Sequence, residues 1–164
     1  MSGPESESAS RLAAEAVAAL KAKGLTIATA EATTGGLIGH ELTSVPGSSA
    51  VFAIAVAPYW NDVKVRLGVP EGVLKEHGAV SAQAADALAV AVRKWGGTSL
   101  GLAETGIAGP GGGSEERPVG LFYIALADGA GVRSERFEFD GGREDNRHAC
   151  AEAALRMVLE HASG

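Results

Sequence analysis

Glu104-Thr105-Gly106-Ile107-Ala108-Gly109-Pro110-Gly111-Gly112-Gly113-Ser114-Glu115-Glu116-Arg117-Pro118-Val119-Gly120 separates two apolar runs, Leu100 to Ala103 and Val119 to Ala127. Glycine recurs at 106, 109, 111, 112, 113 and 120, with proline at 110 and 118. A chain that places this much glycine between two buried strands brings backbone close to something, in conformations that a Cβ resists. Loops at the strand ends of α/β sheets are where ligands bind. The order Gly-Ile-Ala-Gly-Pro followed by Ser-Glu-Glu favours a binding loop over a flexible connection.

Outward from this loop, helical and extended patterns alternate. Toward the N-terminus, Ser81 to Trp95 reads as a helix with Ala85, Leu88, Val92 and Trp95 on one face. Asn61 to Leu67 and Pro70 to His77 read as short helices, the second with proline at its first position. Val51 to Ala57 is uninterrupted in its apolar character and predicts a central strand buried on both faces. Thr34-Gly35-Gly36 opens a helix from Leu37 to Ser44, stopped by Pro46-Gly47, and follows a strand from Leu25 to Ala30. Arg11 to Lys23 carries Ala13, Ala16, Val17 and Leu20 on one helical face and ends at Gly24. Toward the C-terminus, Val132 to Phe139 alternates charged and apolar residues as an exposed edge strand does. Arg143 to His161 repeats Cys150, Ala153, Ala154, Met157, Val158 and His161 at helical spacing. The fold class expected is α/β, a three-layer α/β/α sandwich around a mixed sheet. Residues 1–9 are expected to form a disordered tail and residues 10–164 a single domain.

The 164 residues suffice for one domain with its own core. Aromatic residues make up only 5% while glycine numbers 23, so the core is expected to use small side chains and close approaches. A net charge of −6 argues against a broad nucleic-acid surface. No apolar run is long enough to cross a membrane. Cys150 is the one cysteine; a buried, inert thiol and a cytoplasmic location are expected. The four histidines have no partner at metal-ligand spacing, so no metal and no cofactor is expected.

Two segments carry candidate chemistry. The strand-to-helix turn at Thr34, Gly35 and Gly36 offers free N–H groups and a helix N-terminus to an anion, and Arg143 and Arg147 stand one turn apart near another helix start. Between Pro46 and Lys64, Ser48, Ser49, Tyr59, Asn61 and Lys64 contain the parts of a serine hydrolase. A serine hydroxyl needs a base to become nucleophilic, and a lysine serves when burial lowers its pKa. If residues 51–57 are extended they span about 20 Å at about 3.3 Å per residue. Ser49 and Lys64 then start at opposite ends of a strand. Either Ser49 to Phe52 is a helical turn and the chain folds back, or another subunit completes the site.

Several motifs occur in order: Thr29-Ala30-Glu31-x-x-Thr34-Gly35-Gly36, Val45-Pro46-Gly47-Ser48-Ser49-Ala50-Val51-Phe52, Tyr59-x-Asn61-x-x-Lys64, His77-Gly78-Ala79-Val80-Ser81 and Thr105-Gly106-Ile107-Ala108-Gly109-Pro110-x-Gly112-Gly113. Together, over about residues 10–160, they resemble the C-terminal domain of the competence/damage-inducible protein CinA, the nicotinamide-nucleotide amidohydrolase family. The resemblance is to a standalone form, without that family's N-terminal pyrophosphatase domain. It implies metal-free deamidation of nicotinamide mononucleotide to nicotinate mononucleotide and ammonia by a Ser/Lys mechanism. Carried onto this chain, it implies Ser49 as nucleophile (or Ser48 beside it), Lys64 as base and Tyr59 as the assisting hydroxyl. It further implies contacts to the substrate from Thr34, Gly35, Gly36, Asn61, Thr105, Gly106, Arg143 and Arg147. A homo-oligomer with a pyridine mononucleotide as small-molecule partner is expected. Some motif positions differ. Where members commonly read Glu-Ser-Cys-Thr-Gly-Gly, the chain has Ala32 and Thr33; Trp60 replaces a small serine after Tyr59, and Glu104 stands where a neutral residue is usual. The alternative reading is therefore a catalytically impaired nucleotide-binding or protein-interaction module of the same family.

Overall fold

Two antiparallel steps and two parallel ones build the sheet, in the strand order β2-β1-β3-β4-β5. The computed structural model describes residues 4–164, with side chains from residue 8 onward. The strands are β1 (Ile27–Glu31), β2 (Phe52–Val56), β3 (Leu100–Gly106), β4 (Leu121–Ala127) and β5 (Val132–Glu138). The helices are α1 (Pro4–Lys23), α2 (Leu37–Thr43), α3 (Asn61–Leu67), α4 (Glu71–His77), α5 (Ala82–Gly96) and α6 (Arg143–Ser163), with a 3-10 turn at Ser48–Ala50. β1 runs parallel to β2 and β3, while β4 pairs antiparallel with both β3 and β5. Helices α1, α2 and α6 cover one face through Leu12, Leu20, Ile38, Leu42, Leu155 and Val158. Helix α5, with α3 and α4 beside it, covers the other. The mixed three-layer sandwich expected from the pattern is the fold observed.

The two faces are packed differently. Leu100, Leu102, Phe122, Ile124 and Leu126 fill the side beneath α1 and α6. Opposite them, Ala28, Gly101, Ala103, Ala125 and Ala127 present little more than backbone to α5. A Cβ built on Gly101 would stand 2.1 Å from the carbonyl oxygen of Ala89 and 2.6 Å from the Cβ of Arg93. This contact explains the scarcity of aromatic residues: α5 approaches too closely for larger side chains.

Four expectations are corrected. Val51–Ala57 is not a central strand: β2 lies at the sheet edge, with Ala53 and Ala55 exposed. Its apolar run has no second strand outside it. α1 begins at Pro4, within the segment expected as a tail, and Ala9 is buried; residues 1–3 lie outside the described residues. Trp95 does not share the buried face of Leu88 and Val92; it lies exposed at the end of α5. Arg147 and the Thr34–Gly36 turn have structural partners, described below. The edge position of β5 and the burial of Cys150 are as expected. Burial holds the Cys150 thiol well above the ordinary cysteine range.

Beneath the β1–α2 turn lies a pair of fully buried carboxyl groups. Glu31 Oε1 accepts from Gly39 N–H at 2.8 Å and the Thr29 hydroxyl at 3.0 Å. Its Oε2 accepts from Gly36 and Ile38 N–H groups at 3.0 and 2.9 Å, with the Thr34 hydroxyl at 2.9 Å. Glu104 Oε1 accepts from the N–H groups of Thr33 and Thr34 at 2.7 and 2.8 Å, while Oε2 has no protein partner. Burial raises the Glu104 pKa against the lowering effect of these hydrogen bonds, and nearby Glu31 raises it further.

Two predictions follow from this packing. Gly101→Ala lowers the unfolding free energy by roughly 1–3 kcal/mol through overpacking, whereas Gly72→Ala, which meets nothing within 4 Å, does not lower it; urea denaturation measures both. Because the folded state favours protonated Glu104, its contribution is present below the unfolded carboxylate pKa and fades as pH rises through the folded one. Stability of the wild type accordingly declines with pH above the usual carboxylate range, and Glu104→Gln flattens that decline, as read by urea unfolding across the pH range.

Candidate active site

At the C-terminal ends of β1 and β3 the glycine loop closes over a cavity of about 290 Å³. Its wall comprises Ala32, Thr33, Tyr59, Asn61, Lys64, Ala79, Val80, Thr105, Gly106 and Arg143, with Ile107 to Gly112 of the loop above them. No Asp or Glu lines it, so in a chain of net charge −6 this recess carries only Lys64 and Arg143 as charged residues. A roomier groove of about 510 Å³ between Leu67, Pro70 and α5 has only Asp86 and Lys94 as ionisable walls.

Each wall is fixed by its own element. The loop leaves β3 through Gly106 and returns to β4 through Gly120, whose N–H donates to Ile107 O at 2.7 Å. Gly120 (φ 91°) has no alternative: a Cβ there would overlap the carbonyl of Phe139. The start of α6 holds the loop from below. Arg143 Nη1 donates to Gly109 O at 2.8 Å, and buried Asn146 donates through Nδ2 to Ala108 O at 3.0 Å. Arg117 straps the loop to the α4–α5 connection by donating to His77 O at 2.7 Å. Gly109, Gly111 and Gly112 line the cavity, and among the described residues no backbone acceptor takes their N–H groups.

Lys64 is the chemical centre. Helix α3 places it 4% exposed, its Nζ donating to Tyr59 O at 2.9 Å and to Asn61 Oδ1 at 3.5 Å. Neither acceptor is a carboxylate. Burial lowers its pKa from the ordinary lysine value, and the charge of Glu104 opposes this only in part. A lysine in this setting holds a larger neutral fraction than a surface one and can take a proton.

The remaining expected residues divide. Tyr59, Asn61, Lys64, Thr105, Gly106 and Arg143 meet at the cavity. Thr105 is buried there and donates its hydroxyl to Ala79 O at 2.7 Å. Ser48 and Ser49 do not line it; they form the 3-10 turn ahead of β2, and Lys64 lies beyond the strand's far end. The helical turn expected at Ser49 is present, but the chain then runs away along β2 and does not fold back. Thr34, Gly35 and Gly36 are also absent from the cavity. The Gly36 N–H donates to Glu31 and the Thr34 N–H to Glu104, and Ile38 and Gly39 at the start of α2 also donate to Glu31, so buried carboxylates of the protein take these donors. Arg147 is a clamp: Nη2 donates to Thr34 O at 2.7 Å and Nη1 bonds both oxygens of Glu144.

Sequence reasoning missed Thr33, Ala32 and Asn146. The Thr33 hydroxyl accepts from Gly106 N–H at 2.9 Å and so ties the β1 turn to the loop's first residue. Ala32 follows directly on β1 and lines the cavity, at the motif position where the resemblance expects a serine. Its signal was the motif departure itself. Asn146 had none, because an asparagine in a polar first turn of a helix resembles a solvated one. Glu104, which looked like a charge placed against an anionic ligand, is outside the cavity wall and pushed toward its neutral form.

The model of the CinA C-terminal domain matches residues 9–162. A CinA-like protein of Geobacter metallireducens is 49% identical over 143 residues, 84% of this chain and 35% of that protein. A putative competence-damage inducible protein of Caldicellulosiruptor bescii is 47% identical over 85% of this chain and 34% of its own length. The chain thus spans about a third of these curated relatives. The crystal structure of competence/damage inducible protein CihA from Agrobacterium tumefaciens superposes with a TM-score of 0.90 at 39% identity, covering 93% of this chain and 94% of that one. On this family match over most of its length and these similarities, the chain belongs to the CinA C-terminal domain family.

Proposed function

We propose that the cavity binds nicotinamide mononucleotide and hydrolyses its carboxamide, releasing ammonia and nicotinate mononucleotide. The observation that carries this reading is Lys64: a buried lysine with no carboxylate partner among the described residues, its pKa lowered, on the wall of a recess covered by the glycine loop. Arg143 supplies positive charge for the phosphate of an anionic nucleotide. In the reaction, the serine Oγ that the Ser/Lys reading requires, from Ser49 or Ser48 and not from the cavity wall as it stands, bonds to the carboxamide carbon while its proton passes to the Nζ lone pair of Lys64. Loop N–H groups hold the resulting oxyanion. Collapse breaks the C–N bond as Lys64 returns the proton to nitrogen, and ammonia leaves. Water, losing its proton to the same amine, then cleaves the acyl-serine ester and frees the carboxylate.

A second reading, nucleotide binding without turnover, is favoured by Ala32. Among the described residues no serine lines the cavity, and Ala32 lines it at the position where the resembled motif has a serine.

Ammonia release from nicotinamide mononucleotide, with binding followed by calorimetry, separates the two. The amidase reading expects turnover that Lys64→Met reduces at least about 100-fold, with nucleotide affinity retained. It also expects kcat/KM to rise with pH through the lowered Lys64 pKa, since only the neutral amine accepts a proton. Turnover unaffected by Lys64→Met would overturn the role of the base. Binding with no ammonia from the wild type, but ammonia from Ala32→Ser, would establish the second reading.

A further inference from the structure

Asn146 stands in the first turns of α6, 1% exposed, with both ends of its side chain engaged. Its Oδ1 accepts from Gly141 N–H at 3.0 Å, and its Nδ2 donates to Ala108 O at 3.0 Å. A backbone N–H can only donate, so the amide end beside Gly141 is the oxygen, and the NH2 end necessarily meets Ala108. The side chain therefore has one orientation. It joins the connection between β5 and α6 to the glycine loop, and its burial is compensated only while both bonds are made.

The bond to Ala108 does more than tether the loop. In a trans peptide the C=O and the N–H point opposite ways, and the Ala108–Gly109 peptide is trans. Drawing Ala108 O toward α6 turns the N–H of Gly109 to the other side of the chain. Ala108 and Gly109 line the cavity, whereas Asn146 does not. Among the described residues no backbone acceptor takes the Gly109 N–H. Arg143, at the start of the same helix, holds the next carbonyl, Gly109 O, at 2.8 Å. Two successive carbonyls are thus held by the start of α6, and neither peptide can turn over without losing a hydrogen bond.

We propose that Asn146 is a positioning residue for the amide hydrolysis: by holding Ala108 O it aims the Gly109 N–H into the cavity, where that N–H donates to the carboxamide oxygen as it becomes negative. The part in catalysis rests on the amidase reading above; the aim of the N–H rests on the hydrogen bonds alone.

The test keeps these two parts distinguishable. Asn146→Asp retains the acceptor for Gly141; ionised, it sets an oxygen against Ala108 O, and protonated, it donates there again. Asn146→Leu removes the donor at every pH. Both variants are followed by ammonia release from nicotinamide mononucleotide, by the backbone amide resonance of Gly109 and by urea unfolding. At neutral pH each loses kcat roughly 100-fold, the scale of one oxyanion donor, while KM stays within about twofold. As pH falls, the Asn146→Asp rate relative to wild type at the same pH climbs, and its Gly109 resonance returns toward the wild-type position. Asn146→Leu does neither. Gly101→Ala, strained at the opposite end of β3, keeps the wild-type kcat and so separates lost stability from lost aim. An unchanged kcat in both variants, or a loss in Asn146→Asp that acid does not relieve, overturns the role in catalysis. A Gly109 resonance in Asn146→Asp that ignores pH overturns the aim. A wild type that releases no ammonia overturns the amidase reading and the role built on it, while the resonance still decides the aim.

Discussion

A single buried carboxylate organises the candidate site. Glu31, the last residue of β1, accepts three N–H groups from the start of α2 and the hydroxyls of Thr29 and Thr34. The first turn of a helix leaves its N–H groups without partners, and here the strand end itself supplies the acceptor. That bond set fixes how the chain turns at Ala32 and Thr33, and those residues become one wall of the cavity. Thr33 then carries the order onward to Gly106 and the glycine loop. The loop's conformation is thus inherited from the β1 turn at one end and from Arg143 and Asn146 at the other.

Charge distribution in the molecule follows the same economy. Acidic groups that could spoil an anion site are either on the surface or, like Glu31 and Glu104, buried beneath the turn with backbone donors. The cavity keeps Lys64 and Arg143 without a carboxylate on its wall. Lys64 hydrogen-bonds to neutral oxygens, and burial lowers its pKa against the opposing charge of Glu104. Those two features make the recess suited to a small anionic substrate and to a proton transfer.

Much of this was legible in the sequence. The glycine-rich segment between apolar runs marked the loop that covers the cavity, and the Tyr59-x-Asn61-x-x-Lys64 spacing put three functional residues at the start of one short helix. Alternating charge identified β5 as an edge. The illegible parts have physical reasons. Apolar character reports burial but not against what, so the β2 run reads the same for a central strand and for an apolar edge strand. A glycine turn at a helix start signals free N–H groups, yet nothing local shows that Glu31 already occupies them. Arg143 and Arg147 lie one turn apart with similar neighbours; only the path of the β1 turn sends Arg147 to the carbonyls of Thr33 and Thr34 and leaves Arg143 at the cavity. Trp95 fits the helical period of a buried face, but α5 outruns the sheet before reaching it.

The account turns on Lys64 being a base within a nucleotide site. Its side-chain nitrogen can be followed by NMR, assigned by Lys64→Arg, through a pH titration with and without nicotinamide mononucleotide. A titration below the ordinary lysine range is predicted, with a shift of the Lys64 signal when the nucleotide binds. A Lys64 that titrates in the ordinary lysine range and does not respond to the nucleotide would contradict the proposal.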